Sequence, residues 1–164
     1  MLRLRVLTDP DRDWPLWREV RLAALTDAPH AFKARLADWD RGGEERWRAR
    51  LGTPGAYNVV ALLDDRAVGV AGGLPGDGGG RTWELRSVWV GPEARGRGVA
   101  DRLLAAVERQ ARRAGATQLK LAVVPGNDAA VELYRRHGFV ATGERGDILP
   151  DGGAREQVMA KTLR

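Results

Sequence analysis

The chain has 164 residues, 43% of them hydrophobic, no cysteine and a formal net charge of +5. The length suits one domain over residues 1–164, large enough to bury a core without staples, and the missing cysteine excludes disulfides, thiolate metal sites and a covalent acyl-cysteine intermediate. The charge rests on arginines scattered among acids, with Lys33, Lys120 and Lys161 the lysines, which favours a mixed solvated surface with a local anion site over a nucleic-acid partner.

In chain order, residues 2–7 alternate as a strand, with no apolar signal core. Leu16, Val20, Ala23 and Ala24 then recur at helical spacing, which predicts a helix over about 12–26 and a second, shorter one over 44–51. Strands are predicted over 57–63 and 67–74, joined by the hairpin turn Asp64-Asp65-Arg66. The run 59–63 is the longest apolar one and far too short to span a bilayer, so a soluble, cytoplasmic protein with no membrane partner is expected. A glycine-rich connection over 75–80 leads to a strand over 82–90, with Trp83, Leu85, Ser87 and Trp89 assigned to one face and Glu84, Arg86, Val88 and Val90 to the other.

Residues 99–114 read as a helix faced by Val99, Leu103, Leu104 and Val107 and stopped by Gly115. A short buried strand follows over 118–124, so strand, helix and strand make one right-handed crossover. Asn127 caps a last helix with Ala130, Leu133, Tyr134 and His137 on one face, ending at Gly138. Strands over 139–142 and 155–163 complete an α+β domain with a mixed central sheet. His30 and His137 stand far apart without an acidic cluster at ligand spacing, so no metal is expected.

The strand over 82–90 runs directly into Gly91-Pro92-Glu93-Ala94-Arg95-Gly96-Arg97-Gly98-Val99-Ala100. Glycines at 96 and 98 allow a tight turn and bring bare N–H groups near a ligand, and the helix beginning at Val99 aims its positive end at the same point. An anion, most simply a pyrophosphate, fits there. The loop lacks the lysine of a P-loop, and Asp101 stands where a dinucleotide fingerprint has its third glycine. Arg95-Gly96-Arg97-Gly98-Val99-Ala100 instead resembles the acyl-CoA pyrophosphate loop of the GNAT superfamily of N-acyltransferases, Arg/Gln-x-x-Gly-x-Gly/Ala. Downstream, the segment from Asn127 to Phe139 is similar to that superfamily's Asn-x-x-Ala-x-x-Leu-Tyr-x-x-x-Gly-Phe at every fixed position. Together the two motifs cover residues 82 to 140.

The resemblance implies a three-layer fold, with a mixed central sheet of about seven strands flanked by about four helices, and direct transfer of an acetyl group from acetyl-CoA to a primary amine. A small-molecule acceptor is favoured; a protein or peptide amine, or a non-catalytic acyl-CoA-sensing module, are the alternatives. It further implies that Tyr134 is the acid for the leaving thiolate and Glu84 the base or water-relay carboxylate. Backbone groups of Val88, Trp89 and Val90 would contact pantetheine and the oxyanion. The N–H groups of Gly96, Arg97, Gly98, Val99 and Ala100 would hold the pyrophosphate, with Arg95 or Arg97 adding charge, and Asn127 would both cap its helix and meet the pantetheine arm. The residues alone also allow Tyr134 as a core residue and Glu84 as a surface carboxylate paired with Arg81 or Arg86. Asp101 would repel a pyrophosphate unless it points along the outer helix face, and His137 suits a helix end. The acceptor cleft of the superfamily would here draw on Phe32, Asp38, Trp39, Asp40, Glu44, Glu45 and Trp47, without singling any out. A homodimer through the terminal strands is a further expectation by analogy.

Overall fold

Along Tyr57–Leu63 (β2), Val59 and Ala61 face one way and Val60 and Leu62 the other, and all four are buried. A strand buried on both faces must be covered by helices on both sides. The computed structural model, which describes residues 1–31, 43–76, 80–149 and 153–163, shows how. The remaining elements are β1 (Leu2–Val6), α1 (Pro10–Asp27), α2 (Glu44–Leu51), β3 (Arg66–Pro75), β4 (Thr82–Val90), α3 (Val99–Arg113), β5 (Gln118–Val123), α4 (Asp128–Arg136), β6 (Val140–Ile148) and β7 (Arg155–Thr162).

The seven strands form one sheet in the order β1-β2-β3-β4-β5-β7-β6, antiparallel throughout except for β4 beside β5. One face carries Val59, Leu85, Leu119 and Leu121 under Leu103, Leu104 and Val107 of α3 and Tyr134 of α4. The other carries Val60, Leu62, Val70 and Trp89 under Trp17, Val20 and Ala24 of α1 and Trp47 and Leu51 of α2. This is the three-layer α+β architecture expected. No helix among the described residues is long and apolar enough to cross a membrane.

Two expectations are corrected. The strand placed over 139–142 runs on to Ile148, because its pairing with β7 continues through Arg145↔Gln157 and Ile148↔Arg155 across irregular register; its exposed, polar residues hid it from an apolar pattern. Trp89 does not share a face with Trp83 and Leu85. The backbone at Ser87 turns to φ 60, and the register jumps from Val70↔Trp89 to Gly72↔Arg86. This is a β-bulge, and one extra residue on one strand reverses every later side chain.

Gly73 positions α3 by what it lacks. A Cβ there would fall 2.7 Å from Val107 Cγ1, and one at Gly69 would fall 3.1 Å from Leu103 Cδ1. The bare backbone of β3 is thus the floor on which α3 lies, and with it the helix start that follows the glycine loop.

Asp13 ties α1 to β1. Its side chain is fully buried, yet one oxygen accepts the N–H groups of Thr8 and Asp9 at 3.1 Å each, while Arg5 and Arg12 contact the other. Burial alone would raise its pKa; the Asp9 N–H bond and the two guanidiniums outweigh it and hold the carboxyl below its ordinary value of 3.8. A group with a depressed folded pKa stabilises above its unfolded pKa and loses that contribution as pH falls. Asp13→Asn is therefore expected to cost about 2–3 kcal/mol at neutral pH. In urea unfolding its deficit against the wild type should shrink below about pH 4.

Candidate cofactor and catalytic site

The parallel pairing of β4 with β5 covers Thr82↔Gln118, Trp83↔Leu119 and Glu84↔Lys120 and stops there. From Leu85 to Val90, β4 keeps its partner β3 but has none on the β5 side. The bulge at Ser87 lies within this stretch, so added local twist accounts for the parting. A serine at φ 60 is uncommon for a residue with a Cβ, and such strain collects at functional sites. The result is a wedge with a bare strand edge along Val88, Trp89 and Val90.

β4 then enters Gly91, a single turn of 3-10 helix over Pro92–Ala94, and the glycine loop. Gly96 and Gly98 adopt φ 77 and φ 75, and Gly98 is the N-cap of α3 without side-chain capping. No residue among those described accepts a hydrogen bond of good geometry from the N–H groups of Gly96, Arg97, Gly98, Val99 or Ala100. Five consecutive unspent donors at the start of a 15-residue helix form an anion cradle.

The two loop arginines separate. Arg95 donates through Nε to the Val90 carbonyl at 3.0 Å and through Nη2 to Asp27. Among the described residues nothing pairs with Arg97, whose side chain is exposed. Asp101 is spoken for on one oxygen: its Oδ1 meets His137 Nε2 at 2.6 Å and Arg136 Nη2 at 3.2 Å. The His137 hydrogen bond is the main reason the Asp101 carboxyl lies below its ordinary value, with Arg136 assisting. This bridge joins the first turn of α3 to the last of α4, each charge at the favourable end of its helix.

Asn127 caps α4, its side chain accepting from Ala130 N at 3.4 Å. Two turns on, Tyr134 is buried with 9% of its surface exposed, its ring edge-on to Phe139 at 5.9 Å. It belongs to the same core cluster as Val123, the cluster against which Val88 also packs. Its hydroxyl makes no hydrogen bond to the protein among the described residues. Burial pushes the phenol up to about 12, so it remains a proton donor at any working pH.

Glu84 takes the surface pairing with Arg86 that the residues alone also allowed. It lies at the last paired position of β4, half-exposed, with Arg86 donating to it through Nη2 at 2.7 Å and Nε at 3.2 Å. Trp47, from the acceptor-side group, is 1% exposed and packs edge-on to Trp17 at 5.7 Å, so it belongs to the core. Glu44 ion-pairs with Arg48, and Phe32, Asp38, Trp39 and Asp40 lie outside the described residues. A cavity of about 480 Å³ opens near Thr8, Pro10, Pro54 and Tyr57. That is the opposite end of the sheet from the glycine loop, and among the described residues no charged side chain lines it.

Sequence pattern missed Ser87 and Asp27. The signal for Ser87 was the adjacent apolar trio from 88 to 90, which breaks strict alternation. For Asp27 it was a carboxylate closing a helix whose last turn has no basic residue.

A parted parallel strand pair beside a glycine loop and an uncapped helix is the arrangement that the resemblance to the GNAT superfamily led one to expect. The model of the acetyltransferase (GNAT) family matches residues 16–139, and the chain belongs to that family. It is 32% identical over 141 residues, 84% of this chain and 46% of the relative, to a mycothiol acetyltransferase of Thermobispora bispora. It is 34% identical over 101 residues, 62% of this chain and 65% of the relative, to an IAA acetyltransferase of Azospirillum brasilense. The chain thus spans under two thirds of these relatives' own lengths. Among solved structures, yncA of Salmonella typhimurium, with its cofactor acetyl-CoA, superposes with a TM-score of 0.77 at 22% identity, over 100% of this chain and 95% of that one.

The left-handed turns are open to direct test. An added Cβ at Gly96 meets nothing within 4 Å, and at Gly98 only Asp101 Oδ2 at 3.9 Å, so substitution brings strain and no clash. Gly96→Ala and Gly98→Ala are each expected to cost about 1 kcal/mol in urea unfolding. Calorimetric affinity for coenzyme A should fall further than that strain alone explains, because the cradle donors turn with the backbone.

Proposed function

We propose that this chain is an N-acetyltransferase that moves an acetyl group directly from acetyl-CoA to the primary amine of a small molecule. The reading is supported by β4 losing its β5 partner after Glu84 and running into a glycine loop with unspent N–H groups, with Tyr134 held in the core by its ring and its hydroxyl unspent among the described residues. The thioester supplies the acyl group; everything else falls to this chain's residues. The N–H groups from Gly96 to Ala100 hold the pyrophosphate, with Arg97 adding charge. The edge at Val88, Trp89 and Val90 aligns the pantetheine arm and supplies donors to the acyl oxygen. Asn127, with its amide N–H groups unspent by capping, meets the same arm.

Two proton movements complete the transfer. The attacking amine loses a proton, which Glu84 takes through water; its exposed, Arg86-paired carboxylate suits a relay better than direct contact. The departing thiolate gains one, and Tyr134 O–H donates to that sulfur. A phenol near 12 is a weaker acid than a thiol near 8.5, so donation begins as a hydrogen bond that stabilises the leaving group.

Release of free coenzyme A from acetyl-CoA, followed with a thiol reagent against pooled amines and peptides, tests the activity; a chain without cysteine adds no thiol background. Release with small amines is expected, and Tyr134→Phe should lower kcat about 100-fold while changing the KM for acetyl-CoA only slightly. Release with peptide pools alone would move the acceptor to a protein amine. Silence in every pool, with acetyl-CoA still raising the melting temperature, would favour an acyl-CoA sensor.

Glu84→Gln should lower kcat about tenfold or more at saturating acceptor. Turnover equal to wild type would assign that proton to solvent alone.

A further inference from the structure

The last turn of α1 carries a carboxylate where a helix least favours one. Asp27 ends an 18-residue helix whose final turn has no basic side chain, so it faces the free carbonyls and the negative end of the helix dipole. Its compensation comes from far along the chain. Trp89 Nε1 donates to Asp27 Oδ2 at 3.0 Å, and Arg95 Nη2 donates to the same oxygen at 2.5 Å. Arg95 also reaches back through Nε to the Val90 carbonyl at 3.0 Å. Between Val90 and Arg95 lies one turn, with Ala94 fully buried. One guanidinium therefore holds both ends of that turn, and one carboxylate holds the guanidinium and the strand edge together.

We infer that Asp27 and Arg95 are positioning residues for the cofactor loop, Asp27 aiming Arg95 and Arg95 setting the angle at which the glycine loop leaves β4. This rests on the acetyl-CoA role proposed above. The Arg95 fork is committed within the protein, so the free charge of Arg97 is the one offered to phosphate. Trp89 makes Asp27 common to both halves of the ligand path, the loop for pyrophosphate and the strand edge for pantetheine.

Titration calorimetry with coenzyme A tests this on wild type, Asp27→Asn, Asp27→Glu, Arg95→Gln, the Asp27→Asn/Arg95→Gln double variant and Arg97→Gln. Melting temperatures are recorded alongside. Asp27→Asn and Arg95→Gln should each weaken binding about tenfold, and the double variant should be no weaker than either single one, since both break one brace. Asp27→Glu should recover most of the affinity. Arg97→Gln should reduce the salt dependence of binding, which Asp27→Asn should leave in place.

The brace is refuted by a folded Asp27→Asn with wild-type affinity, or by single effects that multiply in the double variant. Wild type without measurable affinity for coenzyme A would instead remove the cofactor role itself, and the brace with it. If Arg95→Gln does not fold, the indole N–H resonance of Trp89 takes its place: it should move in Asp27→Asn and stay put in Arg97→Gln, and no movement in Asp27→Asn overturns the inference.

Discussion

The parting of β4 from β5 after Glu84 and Lys120 is the constraint on which the remaining architecture depends. A parallel pair buried in a mixed sheet would ordinarily satisfy its backbone groups along its whole length. Here one residue, Ser87, takes a left-handed conformation and diverts the strand, leaving the β5 side of β4 without a strand partner from Leu85 onward. An unpaired edge inside a sheet costs several hydrogen bonds' worth of free energy unless something else satisfies it. The surrounding structure supplies the stability that tolerates it, with one packed core on each face of the sheet.

Charge is distributed so that each helix end near the wedge meets its complement. The start of α3 offers bare N–H groups, while Asp101 in its first turn is bound by His137 and Arg136 from the end of α4. The end of α1, which lacks such a complement locally, receives Arg95 and Trp89 from far along the chain. Each of these three helix termini is thus clipped to an element distant in sequence. Local electrostatics and long-range topology are satisfied by the same contacts.

Much of this was legible in the sequence, and what was not has definite physical causes. Period-two and period-3.6 patterns identified nearly every element, because strands such as Tyr57–Leu63 bury almost every residue and α3 buries one clean stripe. The glycine loop was readable because Gly96 and Gly98 occupy backbone conformations that other residues resist. The length of β6 was hidden, since an exposed edge strand needs no apolar alternation. The face of Trp89 was misassigned because a bulge depends on how two strands register, which one strand's pattern does not encode. Glu84 was found by its position, but its ion pair with Arg86, two residues on and on the same face, suits a relay through water better than a buried base. Arg95 was read as a source of charge for the ligand, and its partner Asp27 lies 68 residues away. Side chains that act through distant partners leave little mark in a local pattern.

The glycine floor of β3 has one more consequence. Because Val107 and Leu103 come down on backbone at Gly73 and Gly69, α3 meets β3 at those two points with no side chain between them that could yield. The helix start beside the glycine loop is thereby coupled to the middle of the sheet. An anion held at that start would extend its protection to slow-exchanging amides of β3, far from any atom it touches.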